Sequence, residues 1–390
     1  MKRLLVMVAI LAAVTFPVIA GEWHAGQTNL CTDCHTMHFS MQHNWDGTTP
    51  VSTTVQPGGN WMGATGPNAR LLKLPANLLC EACHNGQTFA PDVVGLNANA
   101  SPSQGRSAGA LTELASPGYD IYKGHTLGDT SVPPGWNPTA AGIPTANQYN
   151  AANGLECISC HLQHGSATIY RNLGPRVAAV QPLYKFGTTN DVTKDVWINA
   201  DNTAYTPNSG NATTFNPLYA NANVSYNRTD PAAPTGATTV SSNRMDSFCS
   251  SCHGNFHGGT GDANIGGTAS GTGFTDFIRH PTGRQVIGAS ALGGQSSLTR
   301  YAAAAATTKV KVYSSVAGFT DATPGCVTCH KAHGNQNPFG LVFLARAAAS
   351  VDEQGGFGAT QTQSQMVGYR NLCGQCHGQG ADSTSATTPN

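Results

Sequence analysis

The stretch CTDCHTMH, residues 31 to 38, sets two cysteines, a histidine and a second histidine within eight positions. Its first five residues recur along the chain as CTDCH (31–35), CEACH (80–84), CISCH (157–161), CSSCH (249–253), CVTCH (326–330) and CGQCH (373–377), and these six runs hold all twelve cysteines. Cys-x-x-Cys-His is the attachment pattern of a c-type haem: two thiols form thioether bonds and the histidine is the proximal iron ligand. Six disulfides would need no histidine after every second cysteine. A zinc ribbon pairs its Cys-x-x-Cys units without one, and a thioredoxin-like motif occurs singly beside a βαβ pattern. The sequence therefore predicts six haem c groups. Their thioether residues are Cys31, Cys34, Cys80, Cys83, Cys157, Cys160, Cys249, Cys252, Cys326, Cys329, Cys373 and Cys376, and their proximal ligands are His35, His84, His161, His253, His330 and His377.

The chain has fourteen histidines, so eight remain as second axial ligands. His38, His164 and His333 lie three residues past a proximal histidine and His257 lies four past. Residues so spaced on a helical turn share a face about 5–6 Å apart. None of them reaches the far side of its own haem, so each is expected on a different iron, tying two haems to one turn of backbone. His125 in KGHTL and His280 in IRHPTG stand alone on loops and complete a distal set of six: His38, His125, His164, His257, His280 and His333. His24 and His43 are spares, His24 being the better substitute, and Met37 and Met41 read as packing residues. All-histidine ligation predicts low-spin irons of mostly negative potential. The lysine that replaces a proximal histidine in haem nitrite reductases occurs in none of the six motifs.

MKR followed by LLVMVAILAAVTFPVIA reads as a secretory signal over 1–20 with a small-residue cleavage site at Ala20. No cysteine stands there to take a lipid. Residues 21–390 are then expected to form a single hexahaem unit with no membrane span, exported and matured in the periplasm. Charged residues are 10% of the chain, against about a quarter in ordinary domains, so side chains alone make a poor core. The fold class expected is a multihaem cytochrome c, mostly loop and coil with short helices and little sheet, its core formed by six covalently bound haems and its apo chain largely unfolded. Removing Lys2 and Arg3 leaves 18 basic against 20 acidic residues, and the haem propionates add roughly −12, so nucleic acid is excluded as a partner.

The motifs start 49, 77, 92, 77 and 47 residues apart, which is not a fixed-period repeat. Short helices are expected after several motifs, with the strongest helical propensity at 298–310 and 341–351. The long haem-free stretch 162–248 reads as surface loops, with a small hairpin near VAAVQPLYKFG (177–187). The tail after the last motif reads as disordered.

The ordered pieces resemble the OmcS-type hexahaem cytochromes: a histidine near the mature start, CHTMH, a GH loop at 124–125, CISCHLQHG, YNRT at 226–229, CSSCHGNFH, RHP at 279–281, CVTCHKAH and a final LCGQCH. The second motif departs from them, reading CHNG. The resemblance implies closely stacked haems in alternating parallel and T-shaped pairs, running through each subunit into the next. It also implies that His38 crosses the subunit boundary to the neighbour's haem at His330, giving a head-to-tail homopolymer. On this reading the protein is not an enzyme. It is a conductive filament subunit that passes electrons to other redox proteins or to external acceptors. A monomeric periplasmic shuttle and a multihaem reductase with an open iron are the alternatives.

Overall fold

The computed structural model describes residues 24, 31–35, 71–85, 93–94, 108–109, 111–113, 124–131, 133, 154–166, 168–174, 181–199, 224–229, 243–253, 286–287, 310–315, 320–334, 338–344, 351–352 and 372–377. The proposed signal, His38, His43, His257, His280 and the alanine-rich run 298–309 lie outside them. Most of the described chain is coil. The helices are α1 (Cys31–Cys34), α2 (Ala76–His84), α3 (Arg244–Ser250) and α4 (Cys326–Cys329), with 3-10 turns at Cys157–Ser159, Tyr170–Asn172 and Pro338–Gly340. Among the described residues no helix is long and apolar enough to cross a membrane. Helix α2 contains the run CEACH, α1 and α4 span the two cysteines of the first and fifth motifs, and α3 reaches the first cysteine of the fourth. The sequence predicts short helices after several motifs; after the third and fifth, the described residues 162–166 and 331–334 are coil.

Among the described residues, the only sheet of three strands lies within 162–248, where the sequence predicts surface loops and a small hairpin. Strand β3 (Tyr184–Gly187) pairs parallel with β4 (Val196–Asn199), and β4 pairs antiparallel with β5 (Val224–Tyr226); β1 (Thr112–Glu113) and β2 (Thr126–Leu127) form a separate short parallel pair. The hairpin expected near 177–187 is therefore a parallel pair, and its return from 188 to 195 is shorter than the dozen residues such a crossover usually takes. Asn227 makes the tight return possible: its side-chain amide donates to the carbonyls of Lys194 and Asp191 at 2.8 and 3.2 Å and exchanges hydrogen bonds with the Asn190 amide. Alternation along β4 and β5 turns Val196, Ile198, Val224 and Tyr226 inward, where they meet Tyr170, Leu173, Tyr184, Met245 and Tyr313.

Asp195, fully buried at the start of β4, joins this sheet to α3. Its carboxylate accepts from Leu183 N (2.8 Å), Thr229 Oγ1 (2.9 Å), Arg244 N (3.1 Å) and the Arg244 guanidinium (2.9 Å). Asn243 caps α3 by accepting from Met245 N at 2.7 Å, while its amide donates to the carbonyls of Asp195 and Asn227. Buried Asp246 then ties α3 to α4, accepting from Tyr313 Oη at 2.5 Å and Cys326 N at 2.8 Å. Burial, with the Asp246 charge beside it, holds the Tyr313 hydroxyl well above its ordinary pKa.

Two smaller apolar groups end on cysteines. Ile287, Val310, Val312, Ala322, Val342 and Leu372 pack against Cys329 and Cys376, and Leu79 packs with Leu72 and Leu74 against Cys34 and Cys83. The helix expected at 341–351 is replaced at both ends by strands β6 (Phe343–Leu344) and β7 (Val351–Asp352), paired antiparallel. There β-favouring Phe343 and Val351 outweigh the alanines between them.

Candidate functional site

One backbone arrangement recurs around three of the six motifs. At the third, His161 Nδ1 donates to the Arg171 carbonyl (2.7 Å), Leu162 N to Asn172 O (2.6 Å) and Gly174 N back to Cys160 O (2.8 Å). At the fifth, His330 Nδ1 donates to Phe339 O (2.8 Å), Lys331 N to Gly340 O (2.8 Å) and Val342 N to Cys329 O (2.7 Å). At the first, Lys73 N donates to Cys34 O (2.9 Å). His35, His161 and His330 lie opposite Leu72, Leu173 and Leu341 in isolated bridges. Each strap turns through the left-handed region: Arg171 and Asn172 at φ 52° and 54°, Phe339 and Gly340 at 58° and 61°, Leu71 at 57°. The strap is a kinked segment that lies across the motif and presents a carbonyl to the proximal ring.

The histidines meet in pairs. Ring centres are 5.9 Å apart for His24 and His84, 6.3 Å for His35 and His164, 6.0 Å for His125 and His253, and 6.0 Å for His161 and His333. A ligating imidazole nitrogen sits about 2.0 Å from the metal and roughly 1.1 Å from its own ring centre, so two imidazoles on opposite sides of one iron have centres about 6.2 Å apart. Metal-bound histidines also give their other N–H to a carbonyl or carboxylate. His161 and His330 do so through their straps. His24 donates to Gln163 O at 3.2 Å, and His125 donates to Ala332 O. Loss of water around the ring holds His24 and His330 below their usual pKa and pushes His333 down to about 3, favouring the neutral, ligating form. Among the described residues no three His, Cys, Asp or Glu gather as a zinc cluster would need. Paired imidazoles with a cysteine pair beside one of them fit a haem c iron, whose other four ligands come from the porphyrin.

Both described second histidines of CHxxH runs face another motif's histidine. His164 of CISCHLQH faces His35, and His333 of CVTCHKAH faces His161. A lone-loop histidine is attached beside each. His24 Nδ1 bonds the carbonyl just before His164, and Gly165 N returns to His24 O (3.0 Å). His125 Nδ1 bonds the carbonyl just before His333, and His125 N bonds His333 O (3.1 Å). Three glycines allow the second junction. A Cβ on Gly124 would stand 2.4 Å from Gly334 Cα, and one on Gly109, at φ +78°, would stand 1.9 Å from Gly334 O. Gly124→Ala is expected to destabilise the protein by about 1–3 kcal/mol, read as a lower denaturant midpoint; an unchanged midpoint would refute the close packing.

The first three motifs neighbour one another in chain order, and so do the last three. The thiols of Cys80 and Cys157 share a hydrogen bond, as do those of Cys249 and Cys326. Cys34 lies near enough to Cys83, and Cys376 to Cys329, to help burial raise the partner's pKa to about 12. The eleven cysteines with described side chains form no disulfide.

His24, set aside as a spare on sequence, stands opposite His84. Its position only a few residues into the expected mature chain gave no sign of that, and the Gln163 carbonyl that orients it is 139 residues away. His38, His257 and His280, with the spare His43, lie outside the described residues, and among the described residues no imidazole faces His330. The straps also escaped the sequence reading. Leu72, Leu173 and Leu341 follow their histidines by 37, 12 and 11 residues, so only the short R-L-L, R-N-L and F-G-L runs mark them.

No protein-family model matches the sequence, and no curated protein matches it. A solved structure, the cryo-EM OmcS nanowires from Geobacter sulfurreducens, aligns over 94% of this chain and 97% of that one with 14% identity and a TM-score of 0.32, a likeness too slight to carry an argument.

Proposed function

We propose that the chain is a hexahaem c-type cytochrome that carries electrons along a row of bis-histidine irons and polymerises head to tail outside the cell. The observation that carries this reading is the set of four histidine pairs at 5.9–6.3 Å, each joining one Cys-x-x-Cys-His histidine to an imidazole from elsewhere in the chain. Haem supplies one-electron iron chemistry when bound. The chain's part is to hold both axial faces of each iron, so that no coordination site is left for substrate. That makes it a conductor and not an enzyme.

Polymerisation is supported by a rule internal to the chain. The second histidine of the third motif serves the first, and that of the fifth serves the third. The fifth motif, at His330, needs the next CHxxH run, and the sixth motif, which reads CHGQ, does not supply it. The next available CHxxH is CHTMH of another copy, so His38 of the following subunit completes the iron on His330. A contact between unlike surfaces propagates as a filament when rotation does not close it. On the even motifs a lone loop histidine serves each iron, His24 for His84 and His125 for His253; His280 continues that series at His377, leaving His257 as its substitute.

The test is cryo-electron microscopy of material sheared from expressing cells, together with haem counting and carbon monoxide titration of the reduced protein. Filaments with six haems per chain and negligible carbon monoxide binding are expected. Discrete particles with His330's iron ligated from its own chain would replace the filament by a shuttle, and avid binding at one iron would replace it by a reductase.

A further inference from the structure

Three of the four described pairs have nearly aligned ring planes, at 25°, 35° and 30°, whereas His161 and His333 cross at 70°. The two histidines of this pair are held in different ways, one by its ring and the other by its backbone. His161 Nδ1 is held by the Arg171 carbonyl inside the left-handed turn at Arg171 and Asn172, and the His333 backbone N–H donates to Ala108 O at 2.7 Å beside the glycine junction. The His161 ring cannot turn without breaking its bond to the Arg171 carbonyl, and the His333 backbone cannot shift without breaking its bond to Ala108.

Ring orientation matters because each imidazole donates π density into one iron d orbital lying perpendicular to its plane. Aligned rings load the same orbital and split the pair of dπ levels widely. Crossed rings load both, leave the levels nearly degenerate, and stabilise the ferric state less. We propose that the strap Arg171–Gly174 is a positioning device that holds the His161 imidazole across that of His333, making the iron between them electronically distinct from the irons of the aligned pairs and higher in potential. This rests on the bis-histidine reading above. It gives the row a step at its third haem, where an electron rests longest among the four described sites. Asn172 is the positioning residue to test, because its left-handed backbone shapes the turn; its side chain accepts a bond from Ser166 N at 3.0 Å.

Redox-poised electron paramagnetic resonance of the holoprotein decides it. The oxidised wild type is expected to show a strongly anisotropic low-spin signal beside the ordinary signals of aligned pairs, and that signal is lost first as the potential is lowered. Asn172→Gly and Asn172→Val both remove the bond to Ser166, but only glycine accepts the left-handed turn. Asn172→Gly keeps the anisotropic signal; Asn172→Val converts it to the aligned type and lowers its potential. His333→Ala assigns the signal independently, since the signal must then vanish even if Asn172→Val does not accumulate. A wild-type spectrum with only aligned-type signals overturns the inference, as does an Asn172→Val protein of full haem content that keeps the anisotropic one. Absence of any bis-histidine low-spin signal overturns the underlying reading instead.

Discussion

His38→Ala is expected to abolish filaments and leave discrete hexahaem particles. If the second histidine of each odd motif serves the odd motif before it, His38 acts outside its own chain, and its loss costs each subunit one axial ligand at the joint. The reduced variant then binds about one carbon monoxide per chain, at the iron on His330, where the wild type binds almost none. His164→Ala provides the control. It removes an equivalent imidazole and opens the iron on His35, but His164 and His35 belong to one chain, so filaments persist. Filaments in His38→Ala, or filament loss in His164→Ala with the same haem content, would contradict the assembly rule.

Asp195→Ala is expected to lower stability by about 2–4 kcal/mol, because buried N–H groups lose their acceptor. The carboxylate is fully buried and accepts from two backbone N–H groups, a hydroxyl and the Arg244 guanidinium; removing it leaves all four donors without an acceptor at once. Arg244 is partly exposed and can turn to water, so the larger share of the loss lies with the N–H groups of Leu183 and Arg244. Denaturant unfolding of the holoprotein measures it. A loss below about 1 kcal/mol would mean that Asp195 is not the junction of β3, β4 and α3.

The six Cys-x-x-Cys-His runs stand out in the sequence because their pattern is local: two thiols and an imidazole in five residues. The coil-rich fold followed from a composition of few charges and many small polar residues. Pairing was harder to read. The argument that His164 and His333 must serve distant irons needs only the reach of a side chain, and the structure sets each against another motif's histidine. Which one each meets depends on tertiary folding, as His24 makes plain. The sheet was missed for a different reason. Its strands are three or four residues long, and the polar residues that made 162–248 look like loop, Asp195, Asn227 and Asn243, are the buried groups that hold those strands together.

The four pairs also constrain how the chain is threaded. They join residues 24 with 84, 35 with 164, 125 with 253, and 161 with 333, and each span begins before the preceding one closes. The loops interlock like the links of a watch strap, so that no single cut between 24 and 333 spares every pair. Sheet contacts are not what makes this a single cooperative body. Its contacts are distant in sequence, which slows folding, and a chain still being made cannot close the link at His161 until residue 333 is present. Completion of the molecule therefore belongs to the end of its synthesis, after five of its six Cys-x-x-Cys-His runs have been made.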